Sequence, residues 1–577
     1  MMEETGKKAN EDRRRPEREK SAAADFQPKT TPSSQRPPSG KPEVIESYEM
    51  VVDEVPATIK IMHDRAEFVP IYQMVFPEVE TATSAVLESI REQLVTELKI
   101  EPEEIMSAKE LQQLKGEFAE KALRLLKKQV TGLSDKNQKV LVGILLHNSL
   151  GLGKMEILLQ DKNLEEIVIN DSKSPIWVYH IRLGWLKTNI TIASETDIYN
   201  YAAAIGRRVG TQITNLNPLM DAYLTTGDRA NATLFPISSA GNTLTIRKFA
   251  RRPWTITDFI ESGTLSLDVA AFLWLAIQYE LNIVVSGGTA SGKTSLLNAL
   301  TCFIPPNQRI ISIEDTREIQ LPKYLHWVPM TTRPPNPEGM GEVTMLQLMI
   351  NALRMRPDRI IVGEIRRGKE AQVLFEAVNT GHSVYSTLHA NTADETFRRL
   401  VNPPIDIPVA LLGSLQLIAV MHRDRRRGIR RVLEVAELIP TAGVKQMGIE
   451  LNVIFRWIAS EDSITELSKS FRAINDIKLY SGMDDDDVKR DIEEKKRILR
   501  WLVKNNVKDI HEVGRVVSEY YRNREELLKT VGKEMGETEP AKRLSEKQKM
   551  EGRRQESPSD HNRPQKRGKA RPDRRGK

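Results

Sequence analysis

Asn282-Ile283-Val284-Val285-Ser286-Gly287-Gly288-Thr289-Ala290-Ser291-Gly292-Lys293-Thr294-Ser295 reads as an apolar strand, a tight glycine loop and the opening of a helix, which Leu296-Leu297-Asn298-Ala299-Leu300 continues. Gly287 and Gly292 bracket four residues and are followed by Lys293 and Thr294, the P-loop spacing in the strand-to-helix context that the motif requires. The glycines let backbone N–H groups turn inward around phosphates, and the helix N-terminus adds partial positive charge. The spacing predicts that Gly287, Gly288, Thr289, Ala290, Ser291, Gly292, Lys293, Thr294 and Ser295 cradle ATP, with Lys293 at the β- and γ-phosphates and the Thr294 hydroxyl on Mg2+.

Further on lie three other boxes. Ile310-Ile-Ser-Ile-Glu-Asp-Thr-Arg-Glu318 is a strand ending in three carboxylates. Acids after a strand are common at surfaces, so this box alone does not mark a site. Pro357-Asp-Arg-Ile-Ile-Val-Gly-Glu-Ile-Arg366 is an apolar strand ending at Glu364. A carboxylate so placed beside a P-loop handles Mg2+ and the attacking water. Thr380-Gly-His-Ser-Val-Tyr-Ser-Thr-Leu-His-Ala-Asn391 sets His382 and His389 around a short strand, where a lone histidine is usually a satisfied core residue.

From about Leu265 to Pro440 helices alternate with apolar runs at 282–286, 309–313, 359–362 and 383–387, which argues for an α/β unit with a parallel sheet between helices.

P-loop, acidic box, Walker B strand and histidine box, in this order, resemble the type II/type IV secretion ATPase superfamily, specifically over about residues 280–400 and more loosely over 200–440. The resemblance implies a RecA-like domain behind an N-terminal α/β domain, a homo-hexamer, and coupling of ATP hydrolysis to mechanical work. It also makes Glu318 and Glu364 the candidates for polarising water, with Asp315 supporting the site. Glu364 would meet Mg2+ through water. His389 would sense or position the γ-phosphate, with His382 nearby. Gly227-Asp-Arg-Ala-Asn-Ala-Thr and Thr245-Ile-Arg-Lys resemble segments that bring arginines to the nucleotide, so Arg229 and Arg247 become candidate arginine fingers, supplied across a subunit boundary. With one cysteine the chain lacks the four-cysteine zinc module of many bacterial type II members. Thr332 to Glu342, the strand-rich start and the helical region after residue 460 look more like archaeal members.

The implied function is a motor for type IV pilus-like filaments or protein secretion, acting through a polytopic membrane platform on pilin-like or secreted substrates. It would be cytoplasmic and peripheral at the inner face of the membrane. The archaellum motor is a variant. From another class come a nucleic-acid translocase and a P-loop regulator without turnover. No basic groove with interleaved aromatics favours nucleic acid, and the presence of both Glu318 and Glu364 argues against a regulator.

At 577 residues the chain exceeds one core. Its expected parts are a disordered tail (1–45), a small strand and helix region (46–133), an α/β domain (134–250), a linker (251–264), the RecA-like domain (265–440), a mostly helical region (441–540) and a basic disordered tail (541–577). Within 46–133, Pro77 is expected to open a helix. The net charge of +6 hides an asymmetry: residues 542–577 hold 14 basic and 5 acidic side chains, so the remainder is slightly acidic. That tail suits an anionic membrane surface as well as mere solubility. Cys302 reads as a small buried hydrophobe. Ile405 to Met421 is apolar but interrupted, and is expected to be a buried helix rather than a membrane span. Asp484 to Asp487 should start a helix, where acids favour the dipole.

Overall fold

The computed structural model describes residues 42–65, 67–98, 108–130, 132–224, 227–249, 252–335, 339–442 and 447–536. The basic tail lies outside the described residues, as does nearly all of the N-terminal one, although the first strand begins at Glu43, inside the segment expected to be disordered.

Among the described residues, two nine-stranded sheets organise the fold. The first holds β1 (Glu43–Val52), β2 (Val55–His63), β3 (Ile71–Val75), β4 (Leu164–Ile169), β5 (Pro175–His180), β6 (Gly184–Thr191), β7 (Leu219–Tyr223), β8 (Arg229–Thr233) and β9 (Thr243–Arg247), in the order β1-β2-β3-β6-β5-β4-β9-β8-β7. Buried residues alternate with exposed or partly buried ones along β2 and with partly buried ones along β5, the mark of a sheet with one face on a core. Because β3 pairs with β6 through Ile71–Lys187 and Tyr72–Thr188, residues 46–133 and 134–250 share one sheet. The first helix, Thr81–Leu98, starts four residues after Pro77 and packs with helices Ala108–Gln129 and Asp135–Ser149 through Ile90, Leu94, Phe118 and Leu145.

The second sheet holds β10 (Ile283–Gly287), β11 (Arg309–Glu314), β12 (His326–Thr331), β13 (Arg359–Val362), β14 (Ser383–Leu388), β15 (Leu417–Asp424), β16 (Ile429–Ala442), β17 (Met447–Ile458) and β18 (Ser463–Glu466). Their order is β12-β11-β13-β14-β10-β15-β16-β17-β18, parallel from β12 to β15 and antiparallel beyond. Every residue of β10, β13 and β14 is buried, as a parallel sheet covered on both faces demands. This places the P-loop at the carboxyl end of β10, with the histidine-box strand between it and the Walker B strand. The sheet continues past Pro440 to Glu466 before the chain becomes helical.

The stretch from Ile405 to Met421 corrects the helix expected there. Only Val409–Leu412 is helical, and Leu417 begins β15, where its N–H donates to the Asn282 carbonyl at 3.1 Å. Sheet pairing decides this segment, since a short apolar run has no periodicity that separates strand from helix. Among the described residues no helix is long and apolar enough to cross a membrane.

The C-terminal helices dock on the second domain around Trp274. Its indole stacks on Phe303 with centroids 4.8 Å apart, and its Nε1 donates to the Tyr521 hydroxyl at 2.8 Å. The acidic run expected to start a helix does so: Asp484 accepts from the Asp487 N–H at 2.8 Å. Trp274→Ala is expected to cost about 3–5 kcal/mol, because it removes a fully buried ring and leaves a cavity beneath the C-terminal helices, while the Tyr521 hydroxyl keeps its bond to the Phe303 carbonyl at 2.6 Å. Thermal melting checks this, and an unchanged midpoint would show that the helices do not depend on that ring.

Candidate functional site

The loop from Gly287 to Gly292 has the shape its residues predict. Gly287 has φ +152°, and a Cβ there would stand 2.4 Å from the Met421 carbonyl oxygen. Gly292, at φ +95°, sits in the left-handed region as N-cap of the helix Lys293–Thr301. The helix therefore aims its free N–H groups into a turn that only glycine closes. Ser291 is buried and donates its Oγ to the Gly288 carbonyl at 2.9 Å. Thr294 is half-buried in the first turn, and Gly288, Thr289, Ala290 and Ser295 complete the rim.

Lys293 is the charge at the centre. Its Nζ donates to the Gly288 carbonyl at 3.0 Å and lies 3.3 Å from His389 Nδ1. Burial holds its pKa below the usual lysine range, with Glu364 and Glu318 opposing and Arg247 and Arg399 reinforcing. Burial, followed by the Lys293 charge, also lowers the His389 pKa. The imidazole is thus held toward its neutral form, with Lys293 Nζ 3.3 Å from Nδ1 and 3.4 Å from Nε2, and Nε2 also 3.3 Å from Glu364 Oε1. Glu364 in turn pairs with Arg366 at 2.7 Å, and Arg366 with Asp315 at 2.6 Å. Asp315 also accepts from the Thr332 hydroxyl at 3.1 Å. A continuous polar relay thus runs from the P-loop through the histidine and Walker B boxes to the acidic box.

Glu318 reaches this relay through its field on Lys293, and its backbone N–H donates at 3.0 Å to Glu314 Oε1, which also takes the Ile319 N–H at 3.0 Å. Glu314, only 2% exposed, was not singled out from the sequence. Burial pushes its pKa up to about 7. It fits because its neighbour on the Walker B side is Gly363, whose added Cβ would come within 3.3 Å of Glu314 Cγ. Glu314 thus fixes the turn that carries Glu318.

His382 does not join the site. It precedes β14, whereas His389 follows it, and six strand residues at about 3.3 Å each separate the two ends. His382 Nδ1 instead lies 3.1 Å from the Ala377 carbonyl and 3.2 Å from the Thr380 hydroxyl.

Arg229 and Arg247 face each other across β8 and β9. Arg229 pairs with Asp221 at 2.5 Å, and its charge is felt by Arg366, while that of Arg247 is felt by Lys293. The charge of both arginines therefore reaches the site of the same chain.

Arg366, Arg399 and Arg430 were also missed. Arg399 Nη1 donates to the His389 carbonyl at 2.6 Å. From β16, Arg430 Nε donates to the Ala290 carbonyl at 3.2 Å, and its Nη2 lies 3.7 Å from Glu165 of β4. Arginine alone is too common to signal such roles; only Arg366, two residues beyond Glu364, had a positional cue.

The sheet order and this relay define a RecA-like P-loop domain. Residues 228–424 match the family described as Type II/IV secretion system protein, and the chain belongs to that family. It is 34% identical to an uncharacterized protein of Methanocaldococcus jannaschii, over 70% of this chain and 73% of the relative. The type IV secretion system protein PtlH of Bordetella pertussis is 32% identical, over 47% of this chain and 89% of PtlH. A putative conjugal transfer protein of Mycobacterium tuberculosis is 32% identical, over 51% of this chain and 86% of that protein.

Proposed function

We propose that the chain hydrolyses ATP with Mg2+ and turns the energy into mechanical work for assembly of type IV pilus-like filaments or protein secretion. The observation that carries this reading is the relay joining Lys293, His389, Glu364 and, through Arg366, Asp315 at the carboxyl ends of β10, β14, β13 and β11. It is supported by the secretion and conjugal-transfer names of relatives that match most of their own length here.

The glycine turn, the free N–H groups of the helix start and the partly desolvated Lys293 fit a polyphosphate. Backbone from Gly288 to Ser295 and the Lys293 ammonium would hold it, with the Thr294 hydroxyl and, through water, Glu364 toward Mg2+. When bound, Mg2+ neutralises charge on the phosphate oxygens. Glu364 and Glu318 are the groups that can take a proton from water, and Glu314 keeps Glu318 in place. Arg229 and Arg247 bring positive charge from the first sheet, so that hydrolysis is coupled to the distance between sheets. The working assembly is a homo-hexamer, cytoplasmic and peripheral at the inner face of the membrane. A polytopic platform protein transmits its motion to pilin-like or secreted substrates; the archaellum motor is a variant of the same reading.

Phosphate release from ATP should require Mg2+, stop on addition of EDTA, resume with excess Mg2+, and rise as subunits assemble. A chain that releases no phosphate at saturating ATP and Mg2+ in its assembled form would sink the reading.

A further inference from the structure

We propose that Arg366 is a phosphate-responsive catalytic residue, which ties Glu364 to Asp315 until an ATP γ-phosphate takes over its guanidinium. The inference rests on the ATPase reading above and assigns a residue that the four sequence boxes leave without a role.

Glu364 Oε2 accepts from Nε of Arg366 at 2.9 Å and lies 2.7 Å from its Nη2, while Oε1 faces His389 Nε2 at 3.3 Å. Both oxygens of the Walker B carboxylate are thus engaged, and a carboxylate so held is a poor base for water. The third arm of the fork, Nη1, donates to Asp315 Oδ2 at 2.6 Å. One cation therefore serves two acidic boxes, and turnover through Glu364 requires that it let go.

The surroundings permit that exchange. The Arg366 side chain is 55% exposed, and exposed ion pairs are worth little in water, so the partners can be traded. Its backbone is not free to drift: neighbouring Ile365 is buried and donates its N–H to the Thr387 carbonyl at 2.9 Å. Only the side chain swings. A guanidinium fork matches phosphate as well as carboxylate, and a γ-phosphate carries more negative charge than either acid. Arg229, on the first sheet, is close enough to be felt by Arg366 as a like charge. Approach of that sheet therefore pushes Arg366 off the acids, as entry of the phosphate pulls it. Once it moves, Glu364 regains a lone pair for water, and the guanidinium meets charge developing on the transferred group.

The test uses the full-length chain with Arg366→Ala and Arg366→Lys. Affinities for ADP and for a β,γ-imido ATP analogue are measured beside kcat and KM for phosphate release. Arg366→Ala should bind ADP within about twofold of the parent, bind the analogue roughly tenfold more weakly, and lose roughly tenfold or more in kcat. Arg366→Lys should recover part of the analogue affinity but little of kcat, since an ammonium lacks the fork. Equal losses for ADP and the analogue, kcat at or above the parent's, or full rescue by lysine would each overturn the proposal while leaving the ATPase reading intact. A parent chain that binds the analogue but never releases phosphate overturns both.

Discussion

Lys293→Ala should bind ATP roughly 30-fold to several-thousand-fold more weakly than the parent, the equivalent of about 2–5 kcal/mol. The magnitude follows from where the ammonium sits. It is 8% exposed, held between the Gly288 carbonyl and His389, with burial already raising the cost of its charge. A polyphosphate entering the glycine turn would meet that poorly hydrated charge at short range, where Coulomb attraction is only weakly screened. Alanine leaves the N–H groups of the turn but no cation at its centre. Titration with a fluorescent ATP analogue reads the change. An affinity within threefold of the parent would mean that the phosphates are held elsewhere.

Glu364→Gln should keep nucleotide affinity within about threefold and lose roughly 10²–10⁴ in turnover. The amide preserves the shape between Arg366 and His389 and can still accept from the guanidinium, but it cannot take a proton from water. Its value lies in the contrast with Lys293→Ala, one variant failing before binding and the other after it. Phosphate release measured beside the same titration separates them, and normal release by Glu364→Gln would remove this residue from the chemistry and leave Glu318 as the base.

Much of the site was legible because its strands are. Ile283–Val285 before the P-loop and Ile360–Val362 before Glu364 are short apolar runs, and a parallel sheet buried on both faces requires such runs. What they position follows within a residue or two. Glu314 escaped notice because its burial comes from β13, the strand beside it, and from the missing Cβ of Gly363. His382 lies at the amino end of β14 and His389 at its carboxyl end, a separation that the strand between them already implies. Arg359 shows the limit most clearly. A charged side chain inside β13 gives no sign of burial, yet it is 0% exposed and satisfied by Gln308, Ser383, Tyr385 and the Ile277 carbonyl. The first sheet was less readable still: the pairing of β3 with β6 joins segments more than a hundred residues apart, beyond any local pattern.

Arg430 spans the gap between the two sheets like a strut, with the carbonyl of Ala290 at one end and Glu165 at the other. Such a strut is unequal in its two directions. Pushed together, the 3.7 Å ion pair can still shorten toward hydrogen-bond distance, so the first part of an approach is favoured and not resisted. Pulled, it holds only by one hydrogen bond and one long ion pair, which part at little cost. Along this line the first sheet is therefore drawn gently inward and released outward at small cost, which makes the link a soft tether between the P-loop and the first domain.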